Sequence, residues 1–525
     1  MKKIFLTIMA CGTTLLAGAQ YTFDALQYST DDLRGTARYQ SLAGSMGALG
    51  GDMTAINDNP GGIGVYRSSD VSITASLDFN NNKTTGNSNS MTRFNCINVG
   101  YVGAMRLNSD VMPYFQWGLT YNRKYDARRR FLGGMDGIHT SITNYYADWA
   151  THDGITPSNL SMDAFYKDNG GSWGQILTYE GNAMIHTGGN EYSGLGVDGT
   201  YGYNEFEIQE HGHTDEFDVT LGGNINNKVH WGIGFGYVDM LYKYYKYYGE
   251  VLENTVVWKD DKRTETLDGG NASLGYSSGS RTTGTGYNFK FGVIFKPVNE
   301  FRIGLAVHTP TFLRMKDTYT TTISTAFYDG NTELYTIDAT SPTNSVWYRI
   351  RTPWRLLGSI GVVAGQVGLI NAEYECRLNN SMRIGDTDNY WYPDATSEIK
   401  EYLQPTHIFK IGGEVRASNK VSIRAGYQYR SSAAKQEVKD DKLNISVSGS
   451  CPIYSYDNNQ QFITAGLGYR SGGFYADLAY VHKIRNNVTT FVPGEVNVAG
   501  YSEAPIKADV KGHDNRIALT LGYRF

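Results

Sequence analysis

Three runs in this 525-residue sequence carry residue types that could do chemistry. Gly275-Tyr276-Ser277-Ser278-Gly279 has the G-x-S-x-G spacing of a nucleophile elbow, which needs a sharp strand-to-helix turn to expose its serine. Here the run falls in a Ser/Gly/Thr-rich loop, and 61 glycines supply about one such match by chance. Gly194-Leu195-Gly196-Val197-Asp198-Gly199 has the spacing of a phosphate-cradling loop, but no strand–helix–strand pattern surrounds it. His211-Gly212-His213 with Asp215, Glu216 and Asp218 gathers donors that could take a cation. Two histidines at i, i+2 lack the i, i+4 spacing of a helical zinc pair, so a polar segment entering a strand is the better reading. Cys96, Cys376 and Cys451 are odd in number, widely spaced and free of any C-x-x-C. They support neither a disulfide framework nor a structural zinc. No Ser/His/carboxylate cluster assembles from the rest. The expectation is therefore no catalytic residue, no metal, no cofactor and no enzyme.

The elements that must position any function are strands. Tyr contributes 40 residues and Pro 12, and Gly is about 12% of the chain against a usual ~7%. A mean hydropathy of -0.40 with 19% charged residues excludes a bundle of membrane helices, each of which needs about 20 apolar residues. An aromatic content of 13% is too rich for a disordered chain. Polar on average yet aromatic throughout is how an outer-membrane β-barrel reads, since alternate residues face lipid and a wet lumen.

Residues 1–19 read as a secretory signal. Lys2 and Lys3 precede an apolar stretch from Ile4 to Leu16, and Ala17-Gly18-Ala19 offers the cleavage site. Cys11 after Ile8-Met9-Ala10 resembles a lipoprotein box only weakly. Without the two lysines, 45 basic residues face 52 acidic ones, a net charge of -7. That balance, with no basic block, argues against nucleic acid as a partner.

Period-two alternation recurs from about residue 69 onward. Ile517, Leu519, Leu521, Tyr523 and Phe525 share one face; Ala518, Thr520, Gly522 and Arg524 share the other. Strands are expected at 69–79, 92–107, 113–125, 213–225, 229–243, 284–296, 300–324, 345–364, 366–383, 405–417, 420–434, 459–470, 472–491 and 508–525. Fourteen is an even number, as a bacterial single-chain barrel requires. Short turns, such as Asn226-Asn227-Lys228 and Ser418-Asn419, alternate with long segments at 80–91, 126–212, 244–283, 325–344, 384–404, 435–458 and 492–507. That sorting places both chain ends on the periplasmic side and the long loops outside. Tyr237, Tyr429 and Tyr523 are expected in the interfacial aromatic girdles. The terminal Phe525 suits the signal read by outer-membrane assembly machinery.

Two regions escape the pattern. Residues 126–212, with helix-like stretches near 141–150 and 158–167, form a large extracellular loop that is either a lid or a surface decoration. Residues 20–67 are rich in small residues, with Gly44, Gly47, Gly50 and Gly51 in one run. They suit a segment packed inside the lumen, with 68–525 as the barrel around it.

The run Gly35-Thr36-Ala37-Arg38-Tyr39-Gln40-Ser41-Leu42-Ala43-Gly44, then Gly47-Ala48-Leu49-Gly50-Gly51-Asp52 and Asn59-Pro60-Gly61-Gly62, resembles the N-terminal hatch of the FadL/TodX family of outer-membrane transporters. Gly286-Tyr287-Asn288-Phe289-Lys290-Phe291-Gly292 through Pro310-Thr311 is similar to that family's central hairpin. The resemblance implies an all-β, fourteen-stranded barrel plugged by its hatch, passing long-chain fatty acids or similar hydrophobic molecules without energy input. It also implies that the extreme N-terminus, with Tyr21, Phe23 and Leu26, reaches the substrate. The expected partners are that substrate, outer-membrane lipids and the assembly machinery, and the chain is expected to act as a monomer. Gly61 departs from the family's usual Asn-Pro-Ala-Gly, and a glycine there is expected to loosen the turn. The alternatives are a general diffusion porin, which would lack a packed hatch, and an outer-membrane enzyme or adhesin.

Overall fold

In the computed structural model the described residues are 22–166, 170–365, 367–443, 445, 451–493, 495–498, 501–503 and 505–525. The signal segment 1–19, Cys11 and Tyr21 lie outside them.

Fourteen antiparallel strands close into one barrel. In chain order they are β1 Asp70–Thr84, β2 Asn87–Arg106, β3 Tyr114–Asp126, β4 Tyr201–Ile225, β5 Val229–Trp258 and β6 Thr266–Phe295. Then come β7, in two pieces Phe301–His308 and Phe312–Asp329, and β8, in two pieces Asn344–Arg351 and Arg355–Ala364. β9 Gly368–Arg377, β10 Thr406–Arg416, β11 Val421–Ser431, β12 Tyr454–Ser471, β13 Phe474–Val492 and β14 Ile506–Arg524 complete the wall. Closure is the pairing of β14 with β1, from Arg524↔Asp70 to Lys511↔Lys83. Phe525 and Ser69 extend it by exchanging two backbone hydrogen bonds of 3.0 Å each. In lipid an unpaired edge would leave N–H and C=O groups without water, so the seam is obligatory.

Alternation sorts the two faces. Val71, Ile73, Leu77, Leu519, Leu521 and Tyr523 are exposed, while Ser72, Thr74, Ser76 and Thr520 between them are buried. A continuous apolar band on the outside with polar residues within is the signature of a membrane wall. Tyr237 and Tyr523 are exposed on that outer face, and Tyr429 is half-buried on it.

The wall is taller than the sequence suggests. β4 has 25 residues and β5 and β6 have 30 each, against the 9–11 a tilted membrane strand needs. The expected loops at 80–91 and 244–283 are instead paired backbone, running to Thr84↔Asn87 and to Trp258↔Thr266. Beyond the membrane no lipid demands apolar residues on the outer face, so the alternation fades although the ladder continues. The G-x-S-x-G run lies in β6, not in a loop. The expected continuous strands 300–324 and 345–364 are each broken, at Thr309-Pro310-Thr311 and Thr352-Pro353-Trp354. Pro310 and Pro353 have no N–H to give to the ladder.

Residues 126–212 hold a strand, Arg129–Ile138, paired with β4, and two helices, α4 Ile142–His152 and α5 Trp173–Glu180. α4 matches the expected stretch near 141–150. The one near 158–167 forms two short 3-10 turns instead, Pro157–Asn159 and Met162–Tyr166. There Ser158, Asn159 and Ser161 can bond locally to backbone and compete with an α-helix. α5, closed by a Ser172/Gln175 capping box, was not expected. Ile142, Tyr146, Trp173, Ile176 and Leu177 pack with Tyr276, Ile323 and Phe327 of the wall in one apolar cluster that fills the long-loop mouth.

A closed ladder of this kind resists detergent until heated. An unboiled sample is expected to migrate apart from a boiled one on a gel, and Phe525→Ala is expected to lower the yield of the shifted form in the native host. Co-migration of the two wild-type samples would refute the closed barrel.

Candidate ligand site

The N-terminal segment lies inside the barrel. It comprises α1 Thr22–Tyr28, α2 Ala37–Ser41, α3 Ala55–Asp58 and a 3-10 turn Pro60–Val65 that leads into β1. Leu42, Ala43, Met46, Ala48, Ile56 and Ile63 are fully buried, so this is a packed plug. Gly44, Gly50 and Gly51 hold positive φ of 74°, 61° and 66°, which side chains disfavour. Gly47 presses against β7–β9, where an added Cβ would fall 2.5 Å from Glu373 Oε2.

The Asn59-Pro60-Gly61-Gly62 turn is the anchor. Asn59 Oδ1 accepts from the Gly61 N–H at 3.0 Å, and its Nδ2 donates to the carbonyls of Gly47 at 2.6 Å and Val293 at 3.2 Å. Gly61 does not slacken this turn, because Asn59 caps it. Its missing side chain serves close approach: a Cβ there would sit 2.9 Å from Val293 Cα of β6.

The sequence reading missed the matching seat in the wall. Inward glycines stand where the plug's backbone comes closest: a Cβ on Gly292 would lie 2.0 Å from Asn59 Oδ1, and one on Gly232 2.1 Å from the Pro60 carbonyl. Gly412 and Gly466 would likewise meet Leu42 and Ser41 within 2.5 Å. In the sequence these glycines look like any others on a polar face, so only their partners reveal them.

Charges lock the plug in place. Asp31 pairs with Arg377 at 2.6 Å, Arg430 at 3.1 Å and Arg355 at 3.5 Å. Asp32 pairs with Arg516 at 2.8 Å and Lys483 at 3.2 Å, and Arg38 with Glu414 at 3.0 Å. Burial pushes the Asp31 and Asp32 carboxyls up, but Arg377, Arg355 and Arg430 around the one and Lys483, Arg516 and Arg34 around the other outweigh it. Both carboxyls are held well below the usual carboxylate range. Removing one partner of a buried pair strands the other, at about 3–5 kcal/mol.

Above the plug, α1 enters the apolar cluster at the mouth. Phe23 is buried and stacks on Tyr454 at 4.8 Å between centroids, with Tyr456 and Tyr402 at 6.0 and 6.4 Å. Tyr28 bonds Thr282 at 3.1 Å and meets Tyr242 edge-on. Leu26 is half-buried and lines a cavity of about 70 Å³ with Phe23, Arg377, Asn379 and Arg430. A second cavity of about 80 Å³ lies across the segment, against Tyr28, Asp31, Lys290, Thr309 and Pro353. Both cavities lie between α1 and the barrel wall. The apolar cluster thus ends on a floor of three arginines holding one carboxylate.

The cation candidates are split by the strand. Glu216 and Asp218 are buried with Lys290 at 2.9 and 2.5 Å, while Asp215 is bound by Arg123 at 2.8 Å and lies 3.7 Å from His213. The Gly194–Gly199 run follows a small hairpin and packs on α4 through Asn144.

A closed fourteen-stranded barrel filled by its own N-terminal segment is the fold of the FadL-type outer-membrane channels. A FadL homologue of Pseudomonas aeruginosa aligns over 95% of this chain and 100% of its own, at 12% identity and a TM-score of 0.51. The toluene transporter TbuX of Ralstonia pickettii covers 94% of this chain and 99% of its own, at 13% identity and a TM-score of 0.44. The CymD monoaromatic hydrocarbon channel has the same coverages, at 9% identity and a TM-score of 0.45. No family model and no curated protein matches the chain.

Two predictions follow from the seat. Gly292→Val drives a side chain into Asn59 and is expected to unseat the plug, raising single-channel conductance in planar bilayers. Gly279→Val, where a Cβ meets nothing within 4 Å, is expected to leave conductance at the wild-type level. Asn59→Ala, losing bonds worth roughly 0.5–1.5 kcal/mol each, should fall between them. Carboxyl values depressed below the unfolded-state value keep Asp31 and Asp32 ionised as pH drops to about 4. Their contribution is lost only as pH falls through the depressed values, so conductance at pH 4 should match that at pH 7. A plug that opens at pH 4 would contradict the pairing.

Proposed function

We propose that this chain is an outer-membrane channel for hydrophobic molecules of the fatty-acid kind, exported by its signal segment and inserted through the assembly machinery that reads Phe525. The long-loop end then faces outside and the plug lies toward the periplasm. The observation that carries the reading is the division around α1: aromatic side chains above, and below them Arg355, Arg377 and Arg430 converging on the carboxylate of Asp31. An amphiphile with an apolar tail and a carboxylate head matches that division. Its head competes with Asp31 for the arginines, which links capture to loosening of residues 29–36. Tyr21, Phe23 and Leu26 would meet the tail. No energy input and no catalysis enter this scheme, and a monomer suffices.

A general diffusion porin fits poorly, because the lumen is filled and the plug is tied to the wall by buried ion pairs. Deleting residues 20–60 is expected to raise conductance and to lower uptake of a long-chain fatty acid about tenfold, equivalent to ~1.4 kcal/mol. Phe23→Ala should lower uptake while conductance stays low. Wild-type uptake in both variants would overturn the reading.

A further inference from the structure

The outer face of β6 to β8, with the short strand Arg383–Gly385 that pairs with β8, carries six cations just beyond the apolar band on the long-loop side. On β7 the outward Phe312 is followed at the next two outward positions by Arg314 and Lys316, because Leu313, Met315 and Asp317 point inward and are buried. The ladder sets Arg314 opposite Arg349 of β8, Lys316 opposite Trp347, and Phe312 opposite Arg351. Arg351 in turn faces Arg383 on a short strand after β9. On the other flank Arg281 of β6 lies opposite Thr318, one outward step above Lys316. Like charges set directly opposite on neighbouring strands destabilise a sheet, and this patch does so twice.

Inside the barrel most cations around the plug have carboxylates, while Arg302 and Lys246 are held by the Leu49 and Ile453 carbonyls. Among the described residues none of these six has a carboxylate within ion-pair distance. Their contacts are ring faces and neutral oxygens instead. Arg314 and Lys316 lie over Trp347 at 5.1 and 5.4 Å, and Arg349 over Trp391 at 4.9 Å. Arg349 donates to the Asp386 carbonyl and to Asn389, and Arg351 to the Ser381 carbonyl at 2.9 Å. Nη2 of Arg349 and Nε of Arg351 have no hydrogen-bond partner among the described residues. Two acids stand nearby without neutralising the patch. Asp239 is two strands from Arg314 in the same row, and the Asp386 side chain accepts from the backbone of Asp388 and Tyr390.

We propose that this patch binds the phosphate groups of an anionic lipid standing against the outside of the barrel. Guanidinium forks match phosphate oxygens two at a time. A dianionic group between Arg314 and Arg349, or between Arg351 and Arg383, turns two repulsions into attractions. The height selects a lipid over free phosphate. Directly below the cations the exposed Tyr287, Phe312, Trp354 and Leu356 continue as apolar wall, where acyl chains would pack. The proposal rests on the outer-membrane reading, in which this side faces the outer leaflet, but it does not depend on what the channel carries.

The test uses the full chain purified in detergent, with native mass spectrometry after adding diphosphorylated lipid A or the same lipid stripped of both phosphates. Wild type is expected to retain the phosphorylated form about tenfold better. The variant Arg314→Gln, Arg349→Gln, Arg351→Gln, Arg383→Gln should lose that preference while keeping the heat-dependent gel shift and fatty-acid uptake. Equal retention of the two lipids by wild type overturns the proposal even if the variant fails to assemble. Displacement of the lipid by millimolar inorganic phosphate overturns it too, since the patch would then be a free-anion site. A folded variant that still prefers the phosphorylated lipid also overturns it, whereas wild type that prefers the phosphorylated lipid but takes up no fatty acid counts against the transport reading alone.

Discussion

The structure depends on one constraint: inside a bilayer every backbone N–H and C=O must find a partner within the protein. Pairing β14 with β1, and Phe525 with Ser69, meets it by abolishing the edge. Closure then creates a lumen wide enough to leak, lined by the polar half of each strand. Everything else answers that lumen. The plug fills it, and the wall glycines let the plug's backbone come close enough to leave no gap.

Polar walls also decide how the plug is held. An apolar plug would have left the lumen charges unpaired at several kcal/mol each. Here the plug brings counter-charges of its own, Asp31, Asp32, Arg38 and Asp58, to meet wall residues. Bonds of this type have geometry and exchangeable partners. A lock made of carboxylate–arginine contacts can be opened by another carboxylate, whereas one made of packed leucine side chains cannot.

How much of this could be read from the sequence follows from where the signal lies. Strand count survived because lipid imposes alternation, as on Ile517, Leu519 and Leu521. The tall extensions of β5 and β6 were invisible, because above the membrane both faces are polar and Ser277, Gly279 and Arg281 look like loop. Pro310 and Pro353 were visible as letters, but the residues around them alternate well enough to hide the breaks. At the site, Phe23 and Leu26 came from a family likeness and not from any local pattern. The arginines over Asp31 come from three strands far from it in sequence, and no spacing rule links Arg355, Arg377 and Arg430 to Asp31. The seat glycines were missed for the same reason.

Chain order has a consequence for assembly. The plug is the first part of the barrel to be synthesised, yet its seat is completed by the last strands. The Ala37 N–H donates to Thr520 Oγ1 across 483 positions, and Asp32 waits for Arg516 across 484. Contacts so distant form late and make folding slow. Arg38 waits for Glu414 of β10, Asp31 for Arg430 of β11 and Asp32 for Arg516 of β14, and the plug waits for glycines on β6, β10 and β12 to nest against. The segment made first therefore docks last, and the finished wall is its template.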